Sequence, residues 1–151
     1  MSDFRFPKPF VIKVVTNLSS QLYMEHEKIF EYGRPLDSLV FASVGSLDLH
    51  GYFKMHDGDV VRQKVVTIPP GGWFGDYQIL LNLRSSWDLE AGQKNKNEKI
   101  SGISDQQIQV FKLADTKFRK ICDEYPDIRA HILTRSQLRR QFFLKVFNEN
   151  R

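Results

Sequence analysis

The stretch that decides how this chain reads is Pro69-Pro70-Gly71-Gly72-Trp73-Phe74-Gly75-Asp76-Tyr77-Gln78-Ile79-Leu80-Leu81-Asn82-Leu83-Arg84-Ser85-Ser86. Pro69 to Gly75 is dense in breakers of regular structure, so the chain turns there. The apolar run Ile79-Leu80-Leu81, with acidic Asp76 ahead of it, predicts one or two helical turns. A glycine-led turn feeding a short helix leaves backbone amides free beside the positive end of the helix dipole. Gly75 lets the backbone approach a ligand closely. Arg84, Ser85 and Ser86 follow one short helix later, where a guanidinium and two hydroxyls can return to the same pocket. These groups suit a phosphate, since an Arg–phosphate hydrogen bond contributes about 1.5–3 kcal/mol. Asp76, itself an anion, suits a sugar hydroxyl instead, and the set together suits a phosphorylated ribose. Spacing alone also allows a tight turn, a capping Asp and an exposed Arg. Both readings stand at this point.

Outward from that stretch, the chain divides into short segments. Phe10, Val11, Val14, Val15 and Leu18 fall at helical spacing behind prolines and predict a helix over about 9–18. From Leu22 to Ile68 short apolar or alternating segments are separated by turn residues: Lys28–Tyr32, Leu39–Ala42, Leu47–Tyr52 and Val60–Ile68, with Asp57-Gly58 as a hairpin signal. Ser86–Ala91 and Ile108–Leu113 read as further strands, and the polar segment 92–107 between them as a loop. Asp115 or Thr116 caps a helix ending near Glu124. Pro126 then opens a longer one, with Ile128, Ile132, Leu138, Phe142, Val146 and Phe147 on one stripe and Arg129, Arg135, Arg139, Arg140 and Lys145 opposite. Closely spaced strands with turns between them imply an antiparallel sandwich or barrel-like roll, here followed by two helices.

Several chemistries are set aside by the residues present. With 151 residues the chain suits one domain, and its 41% hydrophobic and 26% charged content is that of a globular protein rather than a disordered one. The net charge of +4 is too mild to nominate nucleic acid as a partner. Phe41, Phe53, Trp73, Phe74 and Phe111 read as core residues within strands rather than a base-stacking surface. The histidines His26, His50, His56 and His131 lie too far apart in sequence for a paired metal motif, which counts against a metalloenzyme built on such a roll. Cys122 beside Asp123 and Glu124 reads as structural, because acidic neighbours raise a thiol pKa. No GxSxG, P-loop or kinase motif occurs, so no catalytic residue, metal or cofactor is expected and the chain is read as not an enzyme. No apolar run approaches the roughly 20 residues that cross a bilayer, and the N-terminus lacks a signal peptide's apolar stretch, so a soluble cytoplasmic domain is expected.

The chain resembles the cyclic-nucleotide-binding domain. That family's phosphate cassette begins Phe-Gly-Glu, continues in a short apolar helix and ends in Arg followed by small or hydroxyl residues. Phe74-Gly75-Asp76, Ile79-Leu80-Leu81 and Arg84-Ser85-Ser86 are similar to it. Gly33-Arg34-Pro35-Leu36-Asp37-Ser38-Leu39-Val40-Phe41, with Gly45 downstream, resembles the family's earlier Gly…Asp–apolar signature, and Phe118 to Pro126 resembles its junction before the last helix. Taken together these cover about residues 9–147.

The resemblance implies a mainly β fold with flanking α: an eight-stranded, jelly-roll-like β-roll over about 22–113, an N-terminal helix, a short cassette helix and C-terminal helices over about 115–148, all in a single domain of residues 1–151. It implies cAMP or cGMP as ligand, with phosphate on Arg84, Ser85 and the amides near Gly75, ribose on Asp76, Phe74 and Ser86 completing the cassette, and the base covered by the last helix through Arg135 or Arg139, with Arg140 close by. Arg84 to Ala91 is most similar to the ion-channel branch: ether-à-go-go, hyperpolarisation-activated and cyclic-nucleotide-gated potassium-channel types. The partners implied are then the remaining domains of a channel, a possible homo-oligomer, and a membrane only through that channel. Three departures keep a second reading open. Asp76 stands for the usual Glu, the interval to Arg84 is one residue shorter, and Trp87-Asp88 replace small residues. In that reading the pocket is blocked or occupied by the chain itself, Asp88 repelling phosphate, and the module serves assembly between domains.

Overall fold

A computed structural model describes residues 5–94 and 102–149 of the chain. Helix α1 (Lys8–Thr16) leads into strand β1 (Ser19–Met24), then β2 (Lys28–Phe30), β3 (Ser38–Val44), β4 (Leu47–Lys54), β5 (Val60–Ile68) and the two-residue β6 (Trp73–Phe74). Helix α2 (Asp76–Leu80), β7 (Asp88–Ala91), β8 (Gln107–Ala114), α3 (Asp115–Glu124) and α4 (Pro126–Glu149) complete the order. The eight strands form two four-stranded antiparallel sheets, ordered β1-β8-β3-β6 and β2-β7-β4-β5. This is the eight-stranded roll with flanking helices that the resemblance implies.

Strand alternation builds the core. In the second sheet Leu47, Leu49 and Leu89, which point inward, are almost fully buried, and in the first Val40, Val110 and Ile108 are fully buried. The opposite face of the first sheet carries Leu39 and Leu113 against the helices, where Phe118, Ile121, Cys122 and Ile128 close over it. Glycines fall where the turns need them. Gly58, at φ 90°, closes the β4–β5 hairpin with its amide donating to Met55 O at 3.0 Å. At its other end β4 is preceded by Gly45, also at positive φ, where an added Cβ would stand 2.4 Å from Ile108 Cδ1.

Three elements differ from the sequence reading. β1, most of which precedes the segments read as strands, is a strand because it is an edge paired to β8 from Ser19↔Lys112 to Met24↔Gln107; most of its side chains are exposed, so no burial pattern announces it. β6, too short to leave a periodic signal, is held to β3 by Val40↔Phe74 and Phe41↔Trp73. At α3 neither Asp115 nor Thr116 caps the helix: Ala114 occupies that position, with no side-chain bond, and Asp115 lies inside the first turn.

On α4 the inward stripe runs through Ile128, Ile132 and Ser136, one helical turn apart, and Ser136 is fully buried. Leu138, expected on that stripe, is 62% exposed because it lies two residues beyond Ser136 and so faces away from the i, i+4 row. The side chains of Arg139, Arg140, Phe142, Val146 and Phe147 lie outside the described residues, as do residues 95–101 of the 92–107 loop. Urea denaturation should register the core and surface contrast. Leu89→Ala, at the centre of the roll, is expected to cost about 3 kcal/mol, and Leu138→Ala less than about 0.5 kcal/mol.

Candidate functional site

The cassette begins at β6 and turns at Gly75, whose φ of 114° places it in the left-handed region as the N-cap of α2. A Cβ there would stand 2.9 Å from Leu36 Cδ2 and 3.3 Å from Ser38 O, so glycine is required both by conformation and by the close passage of the 36–38 segment. Phe74 is buried and its ring packs on Phe30 at 6.4 Å between centroids, inside the roll.

Asp76 follows, buried at the start of α2. Its carboxylate accepts the Trp73 indole N–H at 3.0 Å and the Tyr77 amide at 2.8 Å. Trp73 pairs with Phe41 on the helix-facing side of the first sheet, so Asp76 is directed to that side. There it lines an apolar groove of about 370 Å³ with Phe10, Val14, Leu39, Trp73 and Phe118. Cys122 lies in the same helical layer. Its thiol is pushed up to about 12, chiefly by burial, with Arg129 opposing and Asp123 and Asp76 adding to the rise. Burial rather than the acidic neighbours keeps it inert.

At the cassette's far end the chain from Leu83 to Ser85 runs beside Gly33–Pro35. Pro35 and Arg84 form an isolated bridge, the Gly33 amide donates to Ser85 O at 2.8 Å and the Ser85 amide donates to Arg34 O at 2.9 Å. Arg84 is exposed and its guanidinium donates to Gly33 O at 3.2 Å. Arg84 makes no salt bridge among the described residues. Ser85 is buried, and its hydroxyl bonds Trp87 O at 2.6 Å while accepting the Trp87 amide at 3.2 Å. Ser86 is exposed. Arg84 and Ser85 therefore come together against the 33–35 segment, whereas Asp76 is turned to the other side of the first sheet. Arg135 is exposed on α4, and the side chain of Arg139 lies outside the described residues.

The two residues expected to obstruct the pocket part company. Trp87 packs inward: a Cβ on Gly51 would stand 2.8 Å from its Cζ3 and 2.9 Å from Phe53 Cζ, so Gly51 is the notch that admits the indole. Asp88 instead points to the outer face of the second sheet, with Glu90 two residues on. Asp88, almost fully buried, accepts the Tyr32 amide at 2.8 Å, the Tyr52 hydroxyl and Arg62 Nε at 3.2 Å, with Lys28 Nζ at 3.6 Å. Arg62 also donates to Glu90, beside which His50 Nδ1 lies at 3.4 Å. The carboxylate expected to repel phosphate is thus neutralised on the far side of the sheet. Burial works to raise its pKa, but the bonds from Tyr52, the Tyr32 amide and Arg62 outweigh that and hold it below the ordinary 3.8. His50 is lowered from 6.5, first by burial and then by Arg62.

This outer cluster was missed in the sequence, although Asp88 and Glu90 at i, i+2 share a strand face and Tyr52↔Arg62 is one register step of the β4–β5 hairpin. Among the described residues no group of His, Cys, Asp and Glu forms a metal site, and no helix is long and apolar enough to cross a membrane.

No protein-family model matches the sequence, and no curated protein is significantly similar to it. Solved structures are similar in fold. The catabolite activator protein of Thermus thermophilus superposes with a TM-score of 0.68 at 17% identity over 95% of this chain and 59% of its own. The regulatory domain of Toxoplasma gondii protein kinase A, in complex with cAMP, gives 0.60 at 15% identity over 82% and 41%. A second cyclic-nucleotide-binding domain of a protein kinase A regulatory subunit, bound to the cAMP analogue Sp-2Cl-cAMPS, gives 0.64 at 20% identity over 95% and 80%. The chain spans less than two thirds of the first two. These likenesses establish the cyclic-nucleotide-binding β-roll fold.

Asp88→Asn should destabilise the domain by about 1–2 kcal/mol in urea at neutral pH, at the lower end because Arg62 is partly open to water. Since the folded pKa is depressed, the ionised carboxylate stabilises the fold above the unfolded value and loses that effect as pH falls through the folded one. The variant should accordingly show a flatter loss of stability below about pH 4.

Proposed function

We propose that this chain is a non-catalytic regulatory module that captures a cyclic nucleotide, cAMP or cGMP, and passes the event to an attached domain through α3 and α4. The observation that carries the reading is Arg84, exposed at the end of a glycine-led cassette in a cyclic-nucleotide-binding roll, held by a backbone carbonyl and by no carboxylate among the described residues. A guanidinium in that state is available to a phosphodiester, with the Ser86 hydroxyl beside it. Asp76, bonded to Trp73 on the helix-facing side of the first sheet, stands apart from the ligand contacts in this arrangement. Two similar folds were solved with cAMP or an analogue of it, which supports this choice of ligand.

Transmission is supported by the packing of α2 against α4. Gln78 Oε1 on α2 and Ser136 Oγ on α4 are both buried without a hydrogen-bond partner among the described residues, so this helix layer gains little from its present polar arrangement. Binding shifts the helices by as much as the ligand prefers one arrangement over another. Arg135, and Arg139 one turn on, would cover the base. The resemblance to ether-à-go-go type sequences supports an attached potassium or cyclic-nucleotide-gated channel as the larger protein, with this module on the cytoplasmic side and repeated in each subunit of a homo-oligomer.

One observation favours a second reading. Trp87 is seated in the roll on Gly51 and Phe53, and the Ser85 amide and hydroxyl are already engaged. In that reading the hollow is self-occupied and the module serves assembly between domains. Thermal unfolding with millimolar cAMP or cGMP separates the two. Binding should stabilise the protein by about 2.7 kcal/mol at a hundred times the dissociation constant, and Arg84→Ala should abolish the shift. No shift in the wild type, with a shift appearing in Trp87→Ala, is the result expected of the self-occupied form.

A further inference from the structure

Lys112 stands on the inward face of β8. It pairs with Val40 on one side and Ser19 on the other, two residues from the fully buried Val110 and four from Ile108, so the strand's period of two directs it between the sheets. Its ammonium confirms the direction: Nζ lies 5.1 Å from the ring centroid of Tyr23 and 5.8 Å from that of Phe30, both buried core residues. Among the described residues no carboxylate pairs with it. Lys112 is half-buried, and the two ring faces attract its ammonium without neutralising its charge.

The position relates this lysine to the cassette. Phe30, which Lys112 faces, packs on Phe74, the residue before Gly75. Gly33, whose carbonyl holds Arg84, follows Phe30 by three residues, a span of roughly 10 Å at most. Two cations, neither with a carboxylate among the described residues, therefore address one short segment of chain, Arg84 at Gly33 and Lys112 at Phe30 from the inner face of β8.

We infer that Lys112 is a second anion-binding group of the roll, set to meet the phosphoryl group of a ligand that Arg84 engages from the other side. The inference rests on the nucleotide reading for its ligand, though not for its geometry. An inward-facing ammonium kept for an anion leaves a signature that a packing residue does not. Removing it weakens binding while leaving the ligand-free fold about as stable or more so, because no ion pair among the described residues is lost with it.

The test is calorimetric titration of the whole chain with cAMP and cGMP, alongside urea denaturation without ligand. Lys112→Met should weaken nucleotide binding about tenfold or more and Lys112→Arg should restore most of it, with ligand-free stability of the Met variant unchanged or raised. Unchanged affinity in Lys112→Met, or a clear loss of ligand-free stability, would overturn the inference while leaving the nucleotide reading intact. If the wild type binds neither nucleotide, that reading fails, and inorganic pyrophosphate becomes the probe. A thermal shift with pyrophosphate that Lys112→Met abolishes still supports the anion site, and the lack of such a shift in the wild type overturns it.

Discussion

The inner faces of the two sheets meet because each strand commits alternate residues to the space between them, and nearly everything else in the molecule follows from that parity. In β4 and β7 the commitment falls on Leu47, Leu49, Leu89 and Ala91, which leaves Asp48, His50, Asp88 and Glu90 on the other face. Shifting either strand by one residue would place carboxylates in an apolar core, at several kcal/mol for each charge. The register is therefore held from both sides: by apolar burial inside, and outside by Arg62 reaching both Asp88 and Glu90. The same parity turns Lys112 toward the space between the sheets and Trp87 to the notch at Gly51.

The helices are tied to this frame mainly by aromatic and apolar contacts. Phe10 of α1 meets Tyr125 edge-on at 5.6 Å, and Lys13 lies over the same ring while pairing with Glu124. Both partners of that ion pair are well exposed, so it adds little beyond orientation. Between α1 and the first sheet lies the apolar groove that Asp76 lines, and α2 bridges it to α4. The turn at Gly75 thus serves two sides of one sheet: Phe74 goes into the roll, and Asp76 goes to the helices, where Trp73 receives it.

How much of this was legible depended on whether a residue's role was local or set by what lies across from it. The strands with strong alternation, the Asp57-Gly58 hairpin and the Pro126 helix start were readable, because turn chemistry and burial period act within a few residues. β1 and β6 were not, since one is an exposed edge and the other has two residues, and each exists through pairing with a distant strand. The cassette divided along the same line. Glycine at position 75 announces a left-handed turn by itself. Whether Asp76 faces a ribose or an indole depends on Trp73, whose ring direction the β3–β6 pairing decides.

By itself, the sequence determined an antiparallel sandwich or roll with helices at its ends, and a basic, hydroxyl-bearing segment after a glycine turn. These are consequences of local period and of backbone freedom. The tertiary structure alone decided which side of a sheet each charge occupies. Asp88 is an outward, neutralised ion rather than a barrier to phosphate, Ser85 is engaged within its own loop, Leu138 faces solvent while Ser136 is buried, and Lys112 looks inward. The reason is that such choices are made by pairing register and by packing across tens of residues, and no short window of sequence contains both partners.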